Sequence, residues 1–501
     1  MSVESIFTEQ SLARDLGRRA LRGSAWLTGS QVLIGGMSIL RDLLVARLVL
    51  PEAFGLMALV RFFLGTIQQP FELNLDVALI HRRERIEEAT VAHAWLKGGL
   101  ALAAFLLMLA GQGLLRRWYE PRVVHGLLIL GASSILQAVG STSRTLLERQ
   151  LRLGSLSRLM VTNTVLQASV AVLLARSGAG FWSLLIADVV AMVVPAIGCW
   201  WLARPKIGRA PSPDLLRWYL NFSWPMWLAG LLTVFIFTID DFFVATFAGA
   251  TVLGLYSMAY DMMKWPAQLI THVLNRAWLP VYARLQTDRT SLSALYNVVL
   301  FWMAQLSIPV SVALAFVAPE LIQCVLGNRW LGSAAMMRIL VLYAIARSIQ
   351  DDMINLMLAL GHVRVALRVQ WVEAVLMLGG GLIAGRIFGA LGICWVVNVM
   401  MLSGLVVLVR LLQRFVDLQI YEILGAALIS SGMAVAVLGC LVPAQWFSTH
   451  PWAQLVGKTL AFFGLYGVSF WVLNRQKLAA KWTLLQQLWK GESRLAYSAR
   501  R

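Results

Sequence analysis

Ionisable side chains inside otherwise apolar runs are the residues whose type and spacing bear on chemistry. Arg61, Lys264, Arg338 and Arg347 each lie within a long apolar stretch, and Arg144 lies near the end of another. A cation set in hydrocarbon is costly, so it faces a wet cavity or a partner. Several together suit an anionic ligand, which takes charge-assisted hydrogen bonds from Arg and Lys. Arg61 reads either as a cavity residue or as half of a pair with an acid such as Asp42. Asp261 stands at i−3 from Lys264, and Asp351 at i+4 from Arg347. Those spacings allow ion pairs on one helical face, so these cations read either as internal salt bridges or as ligand groups. Arg338 has no acid at such a spacing and sits near the outer interface, where a long side chain can snorkel. Arg144 either meets a ligand at the inner side or follows the excess of positive charge that inner loops carry.

The carboxylates in the same runs are Asp42, Asp241, Asp261 and Glu373, candidates for coupling transport to an ion. Asp42 follows Arg41, and Asp241 follows Asp240. Two adjacent carboxylates do not both ionise cheaply in low dielectric, which suits proton coupling. The alternative is that both sites cap helix ends near the outer interface. Glu373 is either a coupling carboxylate or a hydrogen-bonded neutral acid. Gln68, Gln69 and Asn74 either bond the hydroxyls of a ligand or join helices. Trp371 and Tyr260 either stack on the rings of a ligand or pack. No Walker A, His-rich metal motif or GxSxG elbow occurs. None of Cys199, Cys324, Cys394 and Cys440 forms a CxxC pair. The expectation is therefore a transporter, not an enzyme, with no catalytic residue, metal or cofactor.

The elements that position these groups follow from composition. Of the 501 residues 59% are hydrophobic, and the mean hydropathy is +0.72. Apolar runs reach about 20 residues, the length that crosses a bilayer core of about 30 Å as a helix. The fold class expected is an all-α polytopic membrane protein with about fourteen transmembrane helices. The net charge of +18 is read as orientation signal in cytoplasmic loops, not as a nucleic-acid surface.

Residues 1–22 form a basic amphipathic lead without the apolar core of a signal peptide, and they keep the N-terminus inside. Residues 23–203 form a first lobe of six spans and 204–220 a Pro-rich, basic cytoplasmic linker. Residues 221–414 form a second lobe of six spans, 415–474 two further spans, and 475–501 a basic cytoplasmic tail. Span two is interrupted at Gln68-Gln69-Pro70, because proline removes a helix donor. A tight turn at Ser177-Gly178-Ala179-Gly180 joins spans five and six, and spans eleven and twelve meet near residue 387. Sliding the chain by roughly 199 positions places Asp42 on Asp241, Val45 on Val244, Gly55 on Gly254 and Leu75 on Leu274, the mark of an internal duplication.

Certain runs resemble a known family. They are Phe181-Trp182-Ser183-Leu184 after the glycine-rich turn, residues 144–150 (Arg144 to Gln150), and Asp241 followed by Gly254-Leu255-Tyr256. Leu279-Pro280-Val281-Tyr282-Ala283-Arg284, Ile308-Pro309, Gly327-Asn328-Arg329-Trp330 and Ala359-Leu360-Gly361-His362 complete the set. Together they resemble the polysaccharide transporter family, the Wzx-type flippases of O-antigen and exopolysaccharide synthesis. These lie within the multidrug/oligosaccharidyl-lipid/polysaccharide exporter superfamily. The resemblance implies two six-helix bundles around a central cavity with cationic residues, the last two helices lying outside. It implies transfer of an undecaprenyl-diphosphate-linked oligosaccharide across the bacterial inner membrane by alternating access. The partners it implies are membrane lipids, a polysaccharide polymerase and a chain-length regulator, and no nucleic acid. The rival is an ion-coupled multidrug or cation exporter of the same plan, which calls for an acidic cavity. A membrane glycosyl polymerase is disfavoured by the short outer loops.

Overall fold

The computed structural model describes residues 29–82, 84–205, 208, 212–268, 278, 281–282, 285–441 and 450–489. Every regular element among these residues is helical, as hydrocarbon requires of backbone groups that have no water to bond. The chain forms two compact units, Met1–Ala245 and Thr246–Arg501.

The first unit contains α1 (29–48), α2 (Pro51–Gln68), α3 (Leu75–His81), α4 (Ile86–Trp118), α5 (Pro121–Arg149), α6 (Leu153–Arg176), α7 (Phe181–Ala203) and most of α8 (Pro213–Ala248). Its centre is α5, which packs on α2, α4 and α7. Small residues make that close approach possible. A Cβ built on Gly140 of α5 would stand 2.5 Å from the Cα of Ala196 on α7. The apolar stretch of α4 is only 11% buried, so most of that helix faces outward. α2 ends at Gln68, and a single 3-10 turn follows at Gln69–Phe71, built on Pro70. Asn74 then adopts the left-handed conformation (φ 51°) before α3 begins. The indole Nε1 of Trp227 on α8 donates to the carbonyl of Pro70 at 2.9 Å, satisfying a group that the break exposes. Leu215 and Tyr219 of α8 join a core with Leu75, Ala78, Leu79, Ala89 and Ala92. By these contacts α8 belongs to the first unit, and the division falls after the 204–220 stretch.

The second unit contains α9 (Ala250–Pro266), α10 (Arg289–Phe316), α11 (Ala318–Val325), α12 (Gly332–Ile339), α13 (Val341–Ala359), α14 (Val363–Leu412), α15 (Ile420–Leu441) and α16 (Pro451–Trp489). The apolar stretch of α10 is 72% buried against 6% for α16, which makes α10 the centre and α16 the periphery. α12 and α13 bend by 49°. Asn398 of α14 closes that bend, its Nδ2 donating to the Ile339 carbonyl at 2.7 Å and its Oδ1 accepting from the Tyr343 N–H at 2.8 Å. α14 is interrupted at Gly389 (φ 59°, ψ −142°), a conformation open to glycine. A straight helix of that length would reach about 75 Å, so the break divides it into two crossings. α15 and α16 dock on α10 through Ala313, Ala434, Leu438, Phe462 and Tyr466. The Tyr466 hydroxyl reaches Gln305 Oε1 at 3.0 Å, and Lys458 pairs with Glu320 at 2.5 Å.

Among the described residues eight helices are long and apolar enough to cross a membrane, nine when the bent α12–α13 pair is one span. The sequence-derived total of about fourteen also takes α14 as two and includes α1, α2, α8 and α9. The chain is a multi-pass, all-α membrane protein.

Candidate functional site

Charge inside the first unit gathers where α2 is broken. Glu72 and Asp76 flank Asn74, and α4 carries His93 and Lys97 four residues apart, hence on one face. Lys97 Nζ lies 2.8 Å from Glu72 Oε2 and 3.0 Å from Asp76 Oδ2. Asp76 Oδ1 accepts from the Thr145 hydroxyl at 3.0 Å and stands 3.3 Å from His93 Nε2. His93 Nδ1 meets the Thr142 hydroxyl at 2.8 Å. Lys97 stands about 16 Å along α4 from its first residue, a depth at which charge persists only with a partner.

Exposure within this cluster is unequal. The side chains of Lys97 and His93 are 6% and 0% exposed, those of Glu72 and Asp76 49% and 37%. Lys97 and His93 are enclosed, and the two carboxylates open onto a cavity of about 370 Å³. Gln68 and Phe71 line it beside Glu72, Asp76 and Lys97, as do Ser134, Gln137, Ser141 and Arg144 of α5 and Asn163 of α6. The wall is thus mixed in charge, with hydroxyl and amide groups between the ion pairs.

Of the residues nominated from sequence, Arg144 reaches this cavity, its Nε 3.0 Å from Glu148 Oε1. Arg61 makes a two-pronged pair with Asp188 of α7, Nε to Oδ2 at 2.8 Å and Nη2 to Oδ1 at 3.1 Å. Asp42 pairs with Arg41 at 2.6 Å. Asp241 is half-buried beside the buried Asp240. In the second unit Lys264 pairs with Asp261 at 2.6 Å and lies 4.8 Å from the centre of the Tyr260 ring. Tyr260 stacks on Tyr343 with ring centres 4.7 Å apart. That stack joins α9 to α13, where Arg347 pairs with Asp351 at 3.0 Å. Arg338 is exposed on α12, and Trp371 is exposed on α14. Glu373 is buried and accepts from the Gln350 amide.

Four members of the α3–α4 cluster, and Asn163, were not singled out by the sequence. A signal for the cluster exists, namely two i,i+4 couples that follow the break at Pro70, the acidic Glu72/Asp76 and the basic-type His93/Lys97. Asp352 was also passed over. It is fully buried, and among the described residues the group facing its carboxylate is the Tyr296 hydroxyl.

Comparison with known proteins follows from this architecture. A family model described as "Polysaccharide biosynthesis protein" matches residues 44–335. The teichuronic acid biosynthesis protein TuaB of Bacillus subtilis (strain 168) is 22% identical over 312 residues, 62% of this chain and 64% of that protein. The chain therefore spans just under two thirds of that relative's length. The lipopolysaccharide biosynthesis protein WzxC of Escherichia coli (strain K12) is 21% identical over 386 residues, 75% of this chain and 77% of that protein. Among solved structures, the lipid II flippase MurJ in an inward closed conformation is similar with a TM-score of 0.75 at 14% identity. That likeness covers 91% of this chain and 100% of the other, and it is one of fold.

Proposed function

The chain belongs to the polysaccharide biosynthesis protein family, and on that premise we propose that it is a flippase moving an undecaprenyl-diphosphate-linked oligosaccharide across the bacterial inner membrane by alternating access. The polyprenyl tail stays in lipid throughout. The sugars and diphosphate cannot enter hydrocarbon bare, because each unmet polar group there is costly. They need a polar passage. The observation that carries this reading is the polar, mixed-charge cavity lined by Lys97, Glu72 and Asp76 inside membrane-length helices, in a chain whose relatives are named for teichuronic acid and lipopolysaccharide biosynthesis.

In this scheme the cations proposed as ligands of the anionic head group are Arg61 in the first unit and Lys264, Arg338 and Arg347 in the second, with Arg61, Lys264 and Arg347 exchanging their carboxylate partners for it, while Arg144 stays with Glu148. Asp42, Asp241, Asp261 and Glu373 are the carboxylates proposed to couple transport to an ion, and Glu373 is the most enclosed of them. Both termini lie in the cytoplasm, and a polysaccharide polymerase and a chain-length regulator act on the product. The test is a reconstituted assay: proteoliposomes holding a fluorescently tagged lipid-linked oligosaccharide, with a membrane-impermeant quencher added outside. Flipping above that of empty vesicles is expected; equal rates overturn the proposal.

One observation favours the rival reading, efflux of an organic cation: Glu72 and Asp76 both open onto the cavity. Lys97 neutralises much of that charge, so the wall does not select cations by sign. Ethidium efflux from energised vesicles separates the two readings, and none is expected.

A further inference from the structure

Resting on the transport reading above, we infer that the cavity of the first unit is a subsite for an uncharged sugar ring of the head group, held by Asn163 and Glu72, and that the diphosphate binds elsewhere. Asn163 on α6 is 8% exposed and lines the cavity, and among the described residues its Oδ1 has no hydrogen-bond partner. An enclosed amide oxygen in that state is costly until a donor meets it. Lys97 occupies only Oε2 of Glu72, which leaves Oε1 to accept from a ligand. Gln68 and Gln137 add amides that both donate and accept. Phe71 offers an apolar surface for the C–H face of a ring. The wall therefore pairs acceptors with donors at short range, the demand a hydroxyl meets because it is both at once.

A diphosphate makes the opposite demand. It needs N–H donors with uncommitted positive charge. Lys97 is held by two carboxylates, and Arg144 is held by Glu148. Glu72 and Asp76 would stand against any phosphate oxygen that entered. The volume of about 370 Å³ lies at the low end for small-molecule sites, room for one or two rings.

The test is equilibrium binding to the purified full chain in nanodiscs, with glucose, galactose, N-acetylglucosamine and inorganic pyrophosphate as probes. At least one saccharide is expected to bind and pyrophosphate not to displace it. Asn163→Ala and Glu72→Gln should each weaken that saccharide about tenfold, the weight of one good hydrogen bond. Two variants guard against one of them misfolding, and gel filtration of each reports its integrity. No saccharide binding, unchanged affinity in both folded variants, or displacement by pyrophosphate overturns the assignment. The quencher assay runs on the same preparations. Flipping without saccharide binding sinks the subsite alone, and saccharide binding without flipping sinks the transport reading alone.

Discussion

The ion cluster at the α2–α3 break makes a directional prediction about stability. Lys97→Met removes the ammonium and keeps the stem. The two carboxylates left behind are 49% and 37% exposed, so cavity water solvates them. Each pair is then worth what a partly exposed pair is worth, up to about 1 kcal/mol, and the loss is about 1–2 kcal/mol in all. The double variant Glu72→Gln with Asp76→Asn keeps acceptors near Nζ and removes both counter-charges. Lys97 is 6% exposed, so this variant strands an enclosed cation, a loss of about 3–5 kcal/mol. The gap of about 2 kcal/mol corresponds to about thirtyfold in the folding equilibrium. The assay is reversible unfolding in mixed detergent micelles followed by tryptophan fluorescence, with the triple neutral variant completing the cycle. The triple variant should be more stable than the double one, because no stranded charge remains. A Lys97→Met protein less stable than the carboxylate double variant, or a triple variant no better than the double, would refute the reasoning.

Other outcomes follow from single contacts. Gly140→Ala drives a Cβ into the Ala196 backbone, 2.5 Å away, and should cost about 1–3 kcal/mol by forcing α5 and α7 apart, read as a lower unfolding midpoint in the same assay. Asp188 is 15% exposed and Arg61 51%, so Arg61→Gln should destabilise more than Asp188→Asn. At equal surface expression Arg61→Gln should also cut polysaccharide export while Asp188→Asn spares it; normal export in Arg61→Gln would remove Arg61 from the head-group site. Asp352→Asn exchanges a fully buried acid for a neutral group of the same size that can still accept from the Tyr296 hydroxyl, and stability should hold or rise by about 1–2 kcal/mol. A large loss of stability there would mean that the fold needs the acid itself and not only an acceptor for Tyr296.

What could be read from sequence was what is local along the chain. The all-helical class follows from apolar runs of bilayer length. The break after Gln68 follows from Pro70, and the turn between α6 and α7 from Gly178 and Gly180, both at positive φ. The division of α14 falls at Gly389, two residues from where the two expected spans meet. The Asp261–Lys264 and Arg347–Asp351 pairs are present because i,i+3 and i,i+4 spacing fixes neighbours on a helix. The Arg61–Asp188 pair was not legible, since its partners are 127 residues apart, and the expected alternative, Asp42, pairs with Arg41 instead. Helical periodicity orders residues around one axis and carries no distance between axes. Lys97 was missed for that reason. Its meaning depends on α4 lying against the broken segment, which the spacing of residues along α4 does not show.

A helix cut by proline ordinarily flexes at the cut. Here one ammonium grips a carboxylate on each side of Asn74, and an indole holds the carbonyl of Pro70. The kink is thereby stapled into a stiff elbow. During a transport cycle this stretch would travel as a solid piece, and any flexing would have to occur at unpinned glycines such as Gly389. Cutting the staple, rather than altering any ligand contact, is then the direct way to turn a rigid wall into a loose one.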